Sequence, residues 1–321
     1  MKNTFRILFS VLTVASLTLF VTGCKDKGTI PTITTVNVSD IYLASAVGGG
    51  TITDDGGNSI IERGVCWSTS ENPTINDYIA VSHTGGDNFE ADITSLQWAT
   101  TYYARAYATN SEGTAYGESV SFTTRTPNTL VYIDYSIKDD KVEEALAAQR
   151  CNVTSVATAS AFATGLASGN YDLAVLFTQN FSTNSYASSI TKDIISTYIN
   201  GGGLMIYDTF SNGTDAEYAA LFNAGFTNNT ANTTVTLTDP LMIAKAGVTT
   251  FTATGSTWTI SCVGLSALTG GTVLANFANG DAAIILGNEG HTMMLGYLSD
   301  TPSTKIQEIF ESVLIKLNAS I

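Results

Sequence analysis

Leu96-Gln97-Trp98-Ala99-Thr100-Thr101-Tyr102-Tyr103-Ala104-Arg105-Ala106-Tyr107-Ala108-Thr109-Asn110 decides how the first third of this chain is read. Taken every second residue from Leu96, it gives Leu, Trp, Thr, Tyr, Ala, Ala, Ala, a period of two that assigns alternate side chains to opposite faces of a strand. The strand expected is Thr101–Asn110. Outward from it, short apolar or alternating runs are separated by turn clusters: Gly48-Gly49-Gly50, Asp54-Asp55-Gly56-Gly57-Asn58, Glu71-Asn72-Pro73 and Gly85-Gly86-Asp87. Further strands are expected at Thr32–Val38, Ile41–Ile52, Ile60–Ser68, Ile79–His83, Phe89–Ile93 and Glu118–Thr124. About seven short strands with no helical period are the pattern of a β-sandwich, placed at residues 32–125.

Residues 126–129 read as a linker, with Pro127 holding its predecessor extended. From residue 130 to 321 the pattern alternates. Strands are expected at Leu130–Asp134, Val153–Val156, Tyr171–Phe177 and Leu204–Asp208. Helices are expected at Asp139–Arg150, Phe162–Ser168 and Ser188–Asn200, and from Thr214 to about Ala224. Such alternation predicts a three-layer α/β domain with a mostly parallel sheet. After Phe226 the chain turns β-rich, with runs at Thr233–Thr238, Val248–Thr254, Thr257–Ser261 and Thr272–Phe277. A hairpin at Gly287–His291 joins Ala282–Leu286 to Thr292–Leu298. Thr301-Pro302 reads as the cap and first position of a last helix running to about Leu317.

Two resemblances follow from particular residues. The alternating series from Leu96 to Ala108, with Gly64-Val65-Cys66-Trp67-Ser68 and Tyr107 to Gly117, resembles fibronectin type III modules, although Trp98 stands where that family usually has Pro. The resemblance implies that the Tyr102 hydroxyl closes the corner before its strand and that Trp67 and Trp98 serve as core and corner. The segments Ala147–Thr154, Ala167–Leu173, Tyr198–Gly203 and Leu295-Gly296-Tyr297 resemble the class I glutamine amidotransferase-like superfamily, which implies a flavodoxin-like sheet.

The N-terminus carries Lys2 and Arg6, then an apolar run from Ile7 to Val21 that is short for a membrane span. Its ending, Val21-Thr22-Gly23-Cys24, resembles the lipobox of bacterial lipoproteins. The resemblance implies a signal peptide at residues 1–23, a lipid on Cys24, a stalk at 24–31, and anchorage in the outer membrane at the surface of a Gram-negative bacterium. With 14 Lys and Arg against 28 Asp and Glu, the net charge is −14. Such a surface repels phosphate backbones, which argues against a nucleic-acid partner. Only 13 % of residues are charged while 44 % are hydrophobic, enough to fill cores.

The amidotransferase chemistry needs a thiol on a sharp turn after a central strand, beside a base. Thr178-Gln179-Asn180 and Asp208-Thr209-Phe210, which follow the two central strands, contain no cysteine. Cys151 ends a helix, Cys262 lies in the β-rich part, Cys66 reads as a buried small hydrophobe, and His291 begins a strand at the far end. No catalytic residue, metal ligand set or cofactor is therefore assigned. A polar rim remains where parallel strands end, since open α/β sheets bind ligands there. Its candidates are Asp134, Tyr135, Gln179, Asn180, Asp208 and Asp300. They predict either a glycan or small-ligand pocket or plain helix caps and strand ends. The reading that results is a non-catalytic, lipid-anchored binding or scaffold protein with a glycan or surface-protein partner. Its alternative is a hydrolase acting on glycan or peptide through an acidic strand-end cleft.

Overall fold

The structure is a computed structural model that describes residues 28–134, 141–178, 188–209, 216–230, 233–253, 262–297 and 302–321. Cys24, Tyr135, Gln179, Asn180, Trp258, Asp300 and Thr301 lie outside the described residues.

The first part is two facing sheets. Strands β1 (Thr32–Ser39), β2 (Ala46–Asp54) and β5 (Asn88–Ile93) form an antiparallel three-stranded sheet in the order β1-β2-β5. Strands β3 (Glu62–Ser68), β4 (Tyr78–Val81), β6 (Thr101–Asn110), β7 (Gly113–Tyr116) and β8 (Val120–Thr123) form a five-stranded sheet around β3 and β6. The alternate residues of the opening motif, Tyr102, Ala104, Ala106 and Ala108, face inward with Val65, Trp67 and Phe122. They meet Ile33, Ala46, Ile52, Phe89, Ala91 and Ile93 of the smaller sheet. The backbone N–H of Gln97 donates to the Tyr102 hydroxyl at 2.9 Å, which closes the corner as expected.

Two strand readings need correction. Ile41–Ile52 is not one strand: Asp40 takes a left-handed φ of 45°, residues 41–45 turn, and β2 starts only at Ala46. Glu118–Thr124 is preceded by a further short strand, β7, because residues 111–112 turn back tightly from β6. The end of the stalk is pinned as well: the Thr29 N–H donates to the Gly56 carbonyl and its own carbonyl accepts from the Asn110 amide.

Among the described residues, the second part is built on an eleven-stranded sheet. Its strands are β9 (Asn128–Ile133), β10 (Asn152–Ser155), β11 (Leu173–Thr178), β12 (Leu204–Thr209), β13 (Ala224–Thr230), β14 (Thr234–Leu237), β15 (Thr250–Thr252), β16 (Cys262–Ala267), β17 (Thr272–Phe277), β18 (Ala282–Gly287) and β19 (Thr292–Leu295). The run β10-β9-β11-β12-β19 is parallel, which is the flavodoxin-like order. Among the described residues, every pairing from β18 onward is antiparallel. The expected mostly parallel sheet is thus a mixed one. The β-rich stretch after Phe226 does not form a separate insertion; it extends the same sheet by hairpin-like pairings, which need no crossover helix.

Helices cover both faces. On one, α1 (Val142–Ala148), α5 (Pro240–Ala246) and α6 (Ile306–Asn318) pack Val142, Leu146, Met242, Phe310 and Leu314 against Val131, Val175 and Ile206. On the other, α2 (Ala159–Ser168), α3 (Lys192–Asn200) and α4 (Ala216–Ala220) pack Phe162, Leu166, Ile195 and Tyr218 against Leu130, Leu176 and Met205. Glu311 is 6 % exposed on α6, where its carboxylate pairs with Lys245 of α5 and accepts from Gln149. That satisfies a charge that burial alone would penalise.

Three helix readings change. Residues 239–246, passed over between strands, carry α5, capped by Asp239 and opened by Pro240. The last helix does not start at Thr301-Pro302. Pro302 instead bridges to Ala253, and α6 begins at Ile306 after Lys305 turns the chain at φ 54°. Finally, α4 stops at Ala220, because Asn223 turns at φ 55° into β13.

The two parts meet through the corner that opened the sequence reading. Trp98, 4 % exposed, packs in the core under α6 rather than in the sandwich. Its backbone N–H donates to the Asn318 side-chain oxygen at 3.1 Å, and the Asn318 amide donates to the Leu96 carbonyl at 3.2 Å. The Arg150 guanidinium donates to the Ala99 carbonyl, and Arg125 pairs with Asp172 at 2.9 Å.

Candidate functional site

The parallel strands bring their C-terminal ends to one edge, and two of the six rim candidates can be followed there. Asp134 closes β9, with its N–H donating to the Phe177 carbonyl of β11 at 3.1 Å. Asp208 lies in β12 in register with Phe177. The pleat then separates them. Along β12, Leu204 and Ile206 point to the α6 face, and Asp208 follows their parity. Along β9, Leu130 and Tyr132 point to the α3 face, and Asp134 follows theirs.

The surrounding titrations agree with this division. The Tyr132 phenol is pushed up by burial and then by the charge of Asp134. Burial, followed by the charge of Asp208, raises the Cys262 thiol to about 12 and pushes the Tyr297 phenol far above its ordinary value. Asp208 is fully buried near Cys262 and Tyr297, and the Phe251 ring meets Tyr297 edge-on at 5.2 Å. This carboxylate therefore stands inside the molecule rather than on a rim. Tyr135, Gln179, Asn180 and Asp300 lie outside the described residues.

Cys66, Cys151 and Cys262 are free thiols. Cys66 is buried under the 71–77 loop, where its thiol donates to the Pro73 carbonyl, and burial raises it to about 11. Burial also raises Cys151 to about 11 against the hydrogen bond it shares with Thr129. At neutral pH these groups are thiols, which are poor nucleophiles. His291 sits just before β19, at the opposite edge, where its Nδ1 donates to the Asn288 carbonyl at 3.0 Å. Cys151 and His291 both stand at the N-terminal edge of the parallel strands, but β9, β11 and β12 lie between β10 and β19, so no thiol–imidazole pair forms there.

Other concave places were not marked by the sequence reading. A cleft of about 400 Å³ runs between α2 and α3, lined by Leu166, Tyr171, Asp193, Ile194, Thr197 and Tyr198. A more polar cavity of about 480 Å³ holds Asn200, Asn223, Glu289 and His291. A trough of about 490 Å³ follows Gly48-Gly49-Gly50 on the outer face of the smaller sandwich sheet. The helix-ending glycines 169 and 201–203 were the available signal for the first, because they stop both helices beside it.

No protein-family profile and no curated protein matches the chain. Several solved structures are similar to parts of it. A putative GMP synthase component from Thermoplasma acidophilum is 11 % identical, covers 60 % of this chain and 95 % of its own, and superposes with a TM-score of 0.41. The sensor domain of the anti-sigma factor RsgI4 from Pseudobacteroides cellulosolvens is 21 % identical over 30 % of this chain and 76 % of its own, with a TM-score of 0.24. The sixth fibronectin type III domain of human fibronectin type III domain containing protein 3 is 21 % identical over 31 % of this chain and 90 % of its own, with a TM-score of 0.24.

Proposed function

We infer that this chain is a lipid-anchored surface protein that binds rather than transforms its partner, with the sandwich serving as a spacer for the α/β part. In that reading the first part belongs to the fibronectin type III type and the second is an amidotransferase-like domain without its nucleophile. The observation that carries the reading is the state of the thiols. Cys66 and Cys262 are buried and Cys151 is half-buried, none stands on a turn after a parallel strand, and burial pushes each thiol further from ionisation. The junction supports it too, since Trp98 and Asn318 fix the sandwich to the α/β core as a spacer requires. A hydrolytic role would need two carboxylates across one cleft, whereas Asp134 and Asp208 follow opposite faces of the sheet.

The test is ammonia release from glutamine, measured on the wild-type chain and on Cys151→Ala and Cys262→Ala. No release above background is expected from any of them. Release by the wild-type chain that is abolished in either folded variant would overturn the reading.

A further inference from the structure

The cleft between α2 and α3 has a construction of its own. Its floor holds two tyrosine rings, Tyr171 and Tyr198, with Leu166 and Ile194 beside them. Two glycines seat these rings. A Cβ at Gly203 would stand 2.4 Å from the Tyr198 ring, so that ring lies directly on the backbone. A Cβ at Gly165 would stand 2.6 Å from Leu130 and 3.4 Å from Tyr171, so α2 lies low on the sheet with Tyr171 half-buried beside it. The Tyr198 hydroxyl donates to the Leu204 carbonyl at 3.2 Å, which fixes its plane. The rim is different in character. Asp193 and Thr197 are exposed, and their side chains have no hydrogen-bond or ion-pair partner among the described residues. From Asp193 to Gly201 the cleft follows α3 for about 12 Å at the helical rise per residue.

We propose that this cleft is a binding site for a neutral or amino sugar, with the pyranose ring lying on Tyr171 and its hydroxyls donating to Asp193. The proposal rests on the binding reading above and names its ligand class and its place. A pyranose has one apolar C–H face and a circumference of hydroxyls, which matches a floor of rings and a rim of acceptors. Aromatic floors with a few placed polar groups are the usual make-up of small-ligand sites. Charge selects within the class. Both α2 and α3 end at this cleft, at Gly169 and Gly201, with their partly negative carbonyl ends, while Asp193 stands in the first turn of α3 and offsets the partly positive end of that helix. Asp193 adds a full negative charge, and the whole chain carries −14. An anionic sugar is repelled, and a cationic one is favoured.

The experiment titrates the purified full chain with glucose, galactose, mannose, glucosamine and glucuronate, reading saturation-transfer NMR on the sugar protons. These probes share the ring and differ in hydroxyl geometry or charge. At least one neutral hexose and glucosamine should bind saturably, with glucuronate weaker by about fivefold or more, the effect of one nearby like charge in a wet site. Asp193→Asn should narrow the gap between the neutral hexose and glucuronate. Ala167→Trp, which adds a ring at an exposed position on the rim, should abolish binding while leaving the circular dichroism unchanged. Absence of saturable binding by every neutral and amino sugar overturns the proposal, and so does binding that survives Ala167→Trp. Either failure leaves the anchored, non-catalytic reading standing, because neither touches the thiols or the anchor.

Discussion

Trp98 shows what one side chain does to this molecule. It lies in the sequence of the first part and in the core of the second. Truncation of a buried Trp typically costs about 3–5 kcal/mol through lost burial and the cavity left behind. Trp98→Ala should therefore lower stability by about that amount and loosen the coupling between the parts, so that chemical denaturation followed by tyrosine fluorescence and circular dichroism shows two transitions in place of one. A single transition at the wild-type midpoint would contradict the role assigned to this residue. The sequence marked Trp98 as a corner residue, and the corner is indeed where it sits. What it faces was not legible, because the alternation of a strand says which side a residue takes and nothing about which body lies on that side. Asp208 teaches the same lesson. Its place at a strand end and its parity with Leu204 and Ile206 were readable, but not that Cys262 and Tyr297 would stand beside it on that face.

Elements were legible where their periods were long. The strand holding Tyr102 to Ala108 and the parallel strands at Leu173–Thr178 and Leu204–Thr209 were placed within a residue or two. Helix α5 was missed because its seven residues are too few to show a helical period, although Asp239-Pro240 is a good start signal. That signal has measurable content. The Asp239 carboxylate accepts from the N–H groups of Leu241 and Met242 at 3.0 Å and pairs with Lys316 of α6 at 2.9 Å. Burial would raise its pKa, but the hydrogen bond from Lys316, the two amides and the lysine charge outweigh that and lower it below 3.8. A depressed folded-state pKa gives stability that is present above the unfolded value and lost as pH falls through the folded one. Asp239→Ala should cost about 1–2 kcal/mol at pH 7, the usual worth of a lost cap. The gap between variant and wild type should close as pH falls below about 4, where the unfolded carboxylate begins to protonate. Urea unfolding at a series of pH values reads this directly, and a gap that stays constant down to the acid limit would refute it.

At the scale of the whole molecule, the chain joins a small all-β sandwich to a broad mixed sheet, and the joint is tight rather than a bare linker. Arg125, Asp172 and Asn128 tie the connection itself, since Asp172 accepts from both of the others at 2.9 Å. The order of the parts was readable from the change of period near Pro127. The extent of the antiparallel half was not, because short apolar runs such as Val263–Leu265 and Leu274–Phe277 fit an inserted element as well as a sheet extension. The proposed lipid anchor rests on Val21-Thr22-Gly23-Cys24, and it is the part of the proposed function that places the chain at a membrane. The measurement that tests this most directly is metabolic labelling with palmitate followed by membrane fractionation, performed on the wild-type chain and on Cys24→Ser. The expected result is a labelled wild-type chain in the membrane fraction and an unlabelled Cys24→Ser chain that leaves it. A Cys24→Ser chain that remains in the membrane, or a wild-type chain that takes up no label, would contradict the lipid anchor.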